Sequence, residues 1–163
     1  MELNFRPDPN IRDGQYANNG WLQELPKPLS LLTWDNAVLI GPKTAEEQGL
    51  KNFDVVDLAY QGRIVTGPVW VLPGHPDKSV TVYLGYGRER AGRVGTNQGF
   101  NAYKLRTSNA PWFGLGLELR KTGEFYQLVT TQDHSSIEGR NLYRYGTNDQ
   151  FQKQPDFVKE MEH

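Results

Sequence analysis

Short apolar runs of strand length, separated by turn residues, set the pattern along most of the chain. The run 33–40 ends in Val38-Leu39-Ile40, and residues 54–60 alternate imperfectly between polar and apolar side chains. Runs of this kind, bounded by glycine and proline, predict β-strands. The predicted strands are residues 33–40, 54–60, 63–72, 79–84, 100–105, 115–121 and 124–131. The Gln61-Gly62 pair predicts a tight turn between the second and third of them, and Thr122-Gly123 predicts a hairpin between the last two.

Helix signals are few and short. Thr44-Ala45-Glu46-Glu47 has the form of a capping box, and Gly49 follows as a left-handed end of the helix. Polar segments at 149–151 and 155–161 predict two more short helices. We therefore expect an extended arm at 1–20, a β domain with a hairpin extension at 21–146, and a helical tail at 147–163 that leads to a missing domain.

Composition narrows the function classes. The chain has 163 residues with 17 glycines and 10 prolines, which fits a single domain of short strands and turns. Its net charge of -1 gives no field that would attract nucleic acid, and no apolar run reaches the roughly 18 residues of a membrane helix. With no cysteine and only three histidines, the sequence predicts no metal site and no iron–sulfur cluster within this chain.

The segment from Gly85 to Gly99 holds the best candidate ligand groups. It contains five glycines and three arginines and almost no apolar residue. Glycines let backbone amides approach a phosphate. The guanidinium group of an arginine such as Arg88 or Arg93 can bind two phosphate oxygens at once. The ring of Tyr86 can stack on a guanine. The competing interpretation is a loop that docks on a neighbouring domain, and Glu89 favours it by lowering the local positive charge.

Two further polar groups invite a catalytic interpretation. His134, Glu138 and Arg140 form a polar cluster that can be read as part of a hydrolytic set. No nucleophile elbow or oxyanion donor pair accompanies them, so we predict a hydrogen-bonded loop facing a partner domain and no catalytic residue. His75, between Gly74 and Pro76, is predicted to be a structural residue of an exposed turn.

The order of these motifs resembles a known domain. The relevant features are Pro42-Lys43-Thr44-Ala45, Gly49-Leu50, Asp54-Val55-Val56, Pro73-Gly74, Gly85-Tyr86-Gly87 and Asn101. In this order they resemble the molybdopterin-dinucleotide-binding domain that closes the large subunit of molybdenum oxidoreductases, over about residues 21–108. The resemblance implies a double-psi β-barrel like that of aspartate decarboxylase and the formate dehydrogenase C-terminal domain.

The resemblance also assigns roles to two asparagines. It places Asn36 near the dinucleotide and Asn101 near the pterin, so the predicted cofactor-binding residues are Asn36, Tyr86, Arg88, Arg93 and Asn101. The competing interpretation is structural for both asparagines. Asn36 would then be a buried side chain bonded to the backbone, and Asn101 a strand-start residue that holds the loop.

A narrower resemblance covers the whole chain. Its motifs are Trp21-Leu22-Gln23-Glu24-Leu25-Pro26-Lys27-Pro28, Pro73-Gly74-His75-Pro76-Asp77, Gly85-Tyr86-Gly87-Arg88, Ala91-Gly92-Arg93-Val94-Gly95, Thr131-Gln132-Asp133-His134 and Glu138-Gly139-Arg140. They look like the molybdopterin-oxidoreductase-like iron–sulfur subunit of bacterial alternative complex III. The resemblance implies a periplasmic location on the cytoplasmic membrane, iron–sulfur clusters outside this chain, and contacts with other domains of the parent chain and respiratory subunits.

Three hypotheses remain. The first is a scaffold domain of a respiratory oxidoreductase subunit that holds no cofactor and has no turnover when isolated. The second is a functional domain that binds molybdopterin guanine dinucleotide. The third is an unrelated barrel enzyme that uses His134 and Glu138.

Overall fold

The computed structural model describes residues 1–131 and 143–160 in two compact units, Met1–Thr131 and Gln132–His163. The first unit is mainly β, as the sequence predicts. Its strands are β1 (Glu2–Pro7), β2 (Leu32–Thr33), β3 (Val38–Ile40), β4 (Asp54–Tyr60), β5 (Arg63–Val71), β6 (Ser79–Leu84), β7 (Phe113–Leu115), β8 (Glu118–Phe125) and β9 (Val129–Thr130).

Seven of these strands form one mixed sheet in the order β7-β1-β6-β3-β5-β4-β8, and β2 pairs with β9 in a small second sheet. The pairs β1/β6 and β3/β5 are parallel, whereas β3/β6 and β4/β5 are antiparallel. Parallel neighbours need long connections, so strands that are distant in sequence lie side by side in this sheet.

The helices of the first unit are α1 (Gly20–Glu24), α2 (Pro42–Gln48), α3 (Gly92–Gly95) and a 3₁₀ turn at Ala102–Lys104. Helix α2 ends at Gly49 with φ 62, which confirms the predicted left-handed end. The predicted capping box is wrong. Gly41 is the N-cap and Pro42 occupies the first turn, so Thr44 lies inside the helix. There its hydroxyl oxygen accepts from the Lys78 amide at 2.8 Å.

One hydrophobic core receives side chains from β1, β3, β4, β5 and β6. Alternate residues point inward, as Leu3 and Phe5 of β1 show, each with no exposed surface. The opposite face carries a smaller cluster around Leu39, where the two-stranded sheet contributes Leu32. The main sheet is therefore covered on both faces near β3.

The two end strands of the main sheet are neighbours in sequence. Only Gly116 and Leu117 separate β7 from β8. Leu115 and Glu118 are three residue steps apart, which is about 11 Å at most, so the two edges of the sheet lie close together at this point. Gly114 of β7 also packs against the Tyr60 hydroxyl of β4, leaving no room for a Cβ atom. Among the described residues no strand pair joins β7 to β8, so the paired sheet is not a closed barrel.

Several sequence expectations for the first unit need correction. The predicted arm at 1–20 contains β1, which lies inside the sheet between β6 and β7. The predicted strand 33–40 is broken at Trp34, whose φ is 65. Residues 100–105 contain the 3₁₀ turn instead of a strand. The hairpin predicted at Thr122-Gly123 does not form, because a single strand, β8, runs through Gly123. Residues 129–130, predicted as part of its second strand, form β9 and pair with β2.

The second unit contains α4 (Asn148–Lys153) and α5 (Phe157–Glu160), which confirms short helices there. Thr147 and Gln150 form a capping box at the start of α4. The division between units falls at Thr131/Gln132, before the predicted start of the tail at 147. Across the described residues, no helix has the length and apolar character needed to cross a lipid bilayer.

Burial of Phe5 predicts that β1 is part of the cooperative fold. Phe5→Ala should lower the free energy of unfolding by about 3–5 kcal/mol, because it removes a large buried side chain and leaves a cavity. Phe113→Ala is the control, because Phe113 is 62% exposed and should cost less than about 1 kcal/mol. Urea unfolding measures both. Equal effects would mean that β1 is a dispensable arm.

Candidate functional site

The glycine-rich loop, residues 85–99, connects β6 to the 3₁₀ turn. Its two ends are held together by backbone hydrogen bonds. The Gly87 amide donates to the Gln98 carbonyl at 2.7 Å, and the Asn97 amide donates to the Arg88 carbonyl at 2.7 Å. The loop therefore leaves the sheet and returns to nearly the same point.

Asn36 forms hydrogen bonds to the residues on either side of this loop. It has no exposed surface. Its Nδ2 donates to the carbonyls of Tyr83 at 2.9 Å and Phe100 at 3.0 Å, and its Oδ1 accepts from the Phe100 amide at 2.9 Å. One side chain therefore bridges the end of β6 and the end of the loop. These bonds match the structural interpretation of Asn36, and the predicted cofactor contact remains a prediction.

Gly99 lies in the narrow space between two of the predicted site residues. Its φ is 63, and a Cβ atom built there would collide with Asn36 Oδ1 and approach the Tyr86 ring to 3.0 Å. Only glycine satisfies both the positive φ and the close approach. The structure thus brings Asn36 and Tyr86 together at the end of the loop.

Tyr86 is buried instead of exposed as a stacking surface. Its side chain is 2% exposed and packs with Ile11 and Ala17 in a small hydrophobic cluster separate from the main core. Lys27 Nζ donates to the Tyr86 hydroxyl at 2.8 Å and lies 4.9 Å from the ring centroid. Burial raises the pKa of Tyr86 far above its ordinary range. The ring face that was expected to stack on guanine is covered by the protein.

Asn101 and the two arginines lie at the edges of the loop. Asn101 Oδ1 accepts from the Tyr103 amide at 3.0 Å and so caps the 3₁₀ turn. Arg88 is exposed and donates from Nη1 to the Gly14 carbonyl at 3.1 Å. Arg93 is exposed on α3. Only the two arginines retain the exposure that binding of a phosphate requires.

A cavity of about 290 Å³ opens beside Asn36. Its lining residues include Asp35, Asn97, Gly99, Phe100, Glu124 and Tyr126. Burial raises the pKa of Asp35, while the hydrogen bond from the Tyr126 hydroxyl, 3.0 Å from Oδ2, opposes that shift. Asp35 was not among the predicted site residues, although it stands directly before Asn36. Its carboxylate gives the cavity an acceptor for N–H groups of a ligand.

A buried ion pair that was not predicted from the sequence lies beside the loop. Lys27 and Asp8 are each 1% exposed, and Lys27 Nζ lies 3.7 Å from Asp8 Oδ2. Asp8 Oδ1 accepts from the amides of Asn10 and Ile11. Burial raises the pKa of Asp8 and lowers the pKa of Lys27, and their mutual attraction offsets these shifts only in part. No sequence signal marks this pair, because its partners are far apart along the chain.

The histidine candidates do not form a site among the described residues. His75 is half-buried, its Nε2 lies 2.9 Å from Thr81 Oγ1, and burial lowers its pKa. His75 lies in the turn between β5 and β6, as predicted, where Gly74 and Pro76 are exposed and its own ring is half-buried against Thr81 of β6. His134, Glu138 and Arg140 lie outside the described residues. Where the structure describes the chain, no group of three or more His, Cys, Asp or Glu side chains could hold a metal ion.

The crowding at Gly99 gives a testable consequence. Gly49→Ala places alanine at φ 62 in open space, which should cost about 1–2 kcal/mol of left-handed strain. Gly99→Ala adds a collision with Asn36 at nearly the same φ of 63, and should cost about 1–3 kcal/mol more. Chemical unfolding of the two variants measures the difference. Equal costs would mean that Asn36 does not confine this position.

The buried ion pair predicts an unusual pH dependence. Between about 3.9 and the raised pKa of folded Asp8, the folded protein binds more protons, so this contribution to the unfolding free energy falls as pH rises. Between the lowered pKa of folded Lys27 and about 10.4, the unfolded protein binds more protons, and the contribution rises with pH.

A variant without either charge tests the predicted direction of this pH dependence. We expect the stability of the wild type relative to Asp8→Asn/Lys27→Met to be lowest at intermediate pH, in urea unfolding from pH 4 to 10. The Asn side chain keeps an acceptor for the two backbone amides that Asp8 Oδ1 binds. A relative stability that peaks near neutral pH would contradict the prediction.

Comparison with known proteins gives one partial similarity. No protein family matches the chain as a whole or in part. Over 76 residues, which is 47% of this chain, the sequence is 37% identical to thiosulfate reductase molybdopterin-containing subunit PhsA of Salmonella typhimurium. The matched segment spans 10% of the length of that protein. The similarity thus relates a domain-sized part of this chain to a small portion of a much longer oxidoreductase subunit.

Proposed function

We propose that Met1–Thr131 is a molybdopterin-dinucleotide-binding-type domain of a larger oxidoreductase subunit. The observation that carries this proposal is the 37% identity over 76 residues to a subunit named as molybdopterin-containing. The matched segment is only 10% of that subunit, as expected for one domain among several. The order of the sequence motifs over about residues 21–108 points to the same class.

The proposed topology of this domain is a double-psi β-barrel. Two features support it. The sheet contains two parallel pairs within an otherwise antiparallel arrangement, and its end strands β7 and β8 are consecutive along the chain. A sheet whose two edges are joined by a two-residue link must curl around its core. Most of the strands also contribute to a single core.

The domain's proposed role is that of a scaffold that holds no cofactor. The support is the state of the predicted ligand groups. The polar atoms of Asn36 bind backbone groups, the ring of Tyr86 is buried under Lys27, and Asn101 Oδ1 caps a turn. A side chain that is already satisfied gains little from a ligand, because a new hydrogen bond must first break an existing one.

The wider setting of this scaffold is also part of the proposal. It is a respiratory electron-transfer assembly on the periplasmic side of the cytoplasmic membrane, of the alternative complex III type, with iron–sulfur clusters elsewhere in the parent subunit. Its partners are other domains of that subunit and neighbouring subunits, and the isolated domain has no turnover. These points rest on the sequence resemblance alone. The flanking coding sequence tests them, because cysteine clusters downstream and an Arg-Arg export signal upstream are expected.

A second candidate is a domain that does bind molybdopterin guanine dinucleotide. The cavity beside Asn36 favours it, because the carboxylates of Asp35 and Glu124 line a space where N–H groups of a pterin or guanine can donate. Arg88 and Arg93 are exposed and suit phosphate oxygens. The same carboxylates repel phosphate, so the nucleobase and not the phosphate would occupy the cavity.

Ligand-dependent stability separates the two candidates. The scaffold predicts no change in the unfolding temperature of the full chain when molybdopterin guanine dinucleotide or GMP is added. A binding domain would gain about 2.7 kcal/mol at a ligand concentration of about 100 Kd. Arg88→Ala should then reduce the gain, whereas Arg120→Ala, on the exposed Arg120–Glu118 pair, should not. Stabilisation that is lost only in Arg88→Ala would overturn the scaffold.

A further inference from the structure

Residues 8–19, which we name the strap, cover one side of the glycine-rich loop. Three donors on the loop side bind acceptors on the strap. Arg88 Nη1 donates to the Gly14 carbonyl at 3.1 Å, the Val94 amide donates to Asn18 Oδ1 at 3.2 Å, and the Tyr103 hydroxyl donates to the Asp13 carbonyl at 3.0 Å. These bonds are exposed or only partly buried, so water can replace each of them at low cost.

The buried connection between strap and loop runs through Lys27. Its ammonium group is 3.7 Å from Asp8 Oδ2 at the start of the strap, and 2.8 Å from the Tyr86 hydroxyl at the start of the loop. All three side chains are buried. Among the described residues, Asp8 Oδ2 accepts no hydrogen bond. Its negative charge is balanced there by the ammonium group of Lys27.

The apolar contacts of the strap belong to a separate cluster. Ile11 and Ala17 of the strap pack with Tyr86 of the loop, together with Leu22 and Ala91. None of these residues belongs to the main core between the strands. A small cluster that shares no residues with the main core can open while the sheet stays folded.

The energetics of the ion pair argue that its role is positional. Burying two charges costs several kcal/mol, and well-packed apolar residues of similar size are often equally stabilising or more so. The pair therefore adds little to global stability compared with an apolar substitute. What an apolar substitute cannot supply is the hydrogen bond to Tyr86, which fixes the loop relative to the strap.

We propose that Lys27 is a latch: its ammonium group holds the strap closed over the glycine-rich loop, and its release opens both segments without unfolding the sheet. When the strap opens, the Arg88 guanidinium loses the Gly14 carbonyl and becomes available to other acceptors. The latch rests on the geometry of the first unit and does not require that the loop binds a cofactor.

Hydrogen exchange of the full chain tests the latch with Tyr86→Phe. This variant removes the hydroxyl that Lys27 binds and keeps the buried ring and the ion pair. We expect amide exchange in residues 8–19 and 85–99 to accelerate together by about tenfold, which corresponds to about 1.4 kcal/mol. Amides of β3 and β6 should keep their wild-type rates. Unchanged rates in the two segments, or equal acceleration in the strands, would overturn the proposal.

A second variant separates the latch from a purely structural role. Asp8→Asn/Lys27→Met removes both charges, keeps an acceptor at position 8 and replaces the lysine stem with a side chain of similar length. We expect faster exchange in strap and loop although the free energy of unfolding at neutral pH is unchanged or higher. Lys43→Met, which breaks the exposed Lys43–Asp77 pair, is the control and should alter neither segment. Wild-type protection of the loop in the double variant would contradict the latch.

Discussion

The side chain of Asn36 is the interaction on which the rest of the loop region depends. It is fully buried and binds the carbonyls of Tyr83 and Phe100 and the amide of Phe100. Left unpaired in the interior, each of these backbone groups would cost roughly 1–3 kcal/mol. The requirement to satisfy them fixes where the chain leaves β6 and where it returns. It also explains why Gly99 has no side chain, because any Cβ atom would meet Asn36.

The same requirement shapes the functional interpretation. The resemblance assigns Asn36 and Asn101 to the cofactor and ring chemistry suggests Tyr86, yet each of the three is engaged by a neighbouring group of the protein. The exposed Arg88 and Arg93 and the carboxylate-lined cavity beside Asn36 are the features that favour the second candidate, a binding domain. A domain of this construction can preserve a binding fold while its polar groups hold the fold together. This is the physical basis on which we prefer a scaffold.

Buried charge serves a different purpose from buried apolar surface in this unit. The main core derives its stability from side chains such as Phe5 and Val82, which carry no polar atoms to satisfy. The Lys27–Asp8 pair is costly to bury, but hydrogen bonds of a charged group depend on direction, which apolar contacts do not. Its hydrogen bond to Tyr86 specifies one arrangement of strap and loop among many that a small apolar cluster would tolerate.

The sequence by itself determined the mainly β class, the strands β4, β5 and β6 to within one residue, and the left-handed end at Gly49, because alternation and glycine act over a few residues. It did not reveal β1, whose apolar Leu3 and Phe5 stand within a polar, proline-rich segment. Nor did it reveal the contacts of Lys27 with Asp8 and Tyr86, the longer of which joins positions 59 residues apart. Only the tertiary structure could decide these, because hydrogen bonds and ion pairs between distant residues leave no periodic trace in the chain.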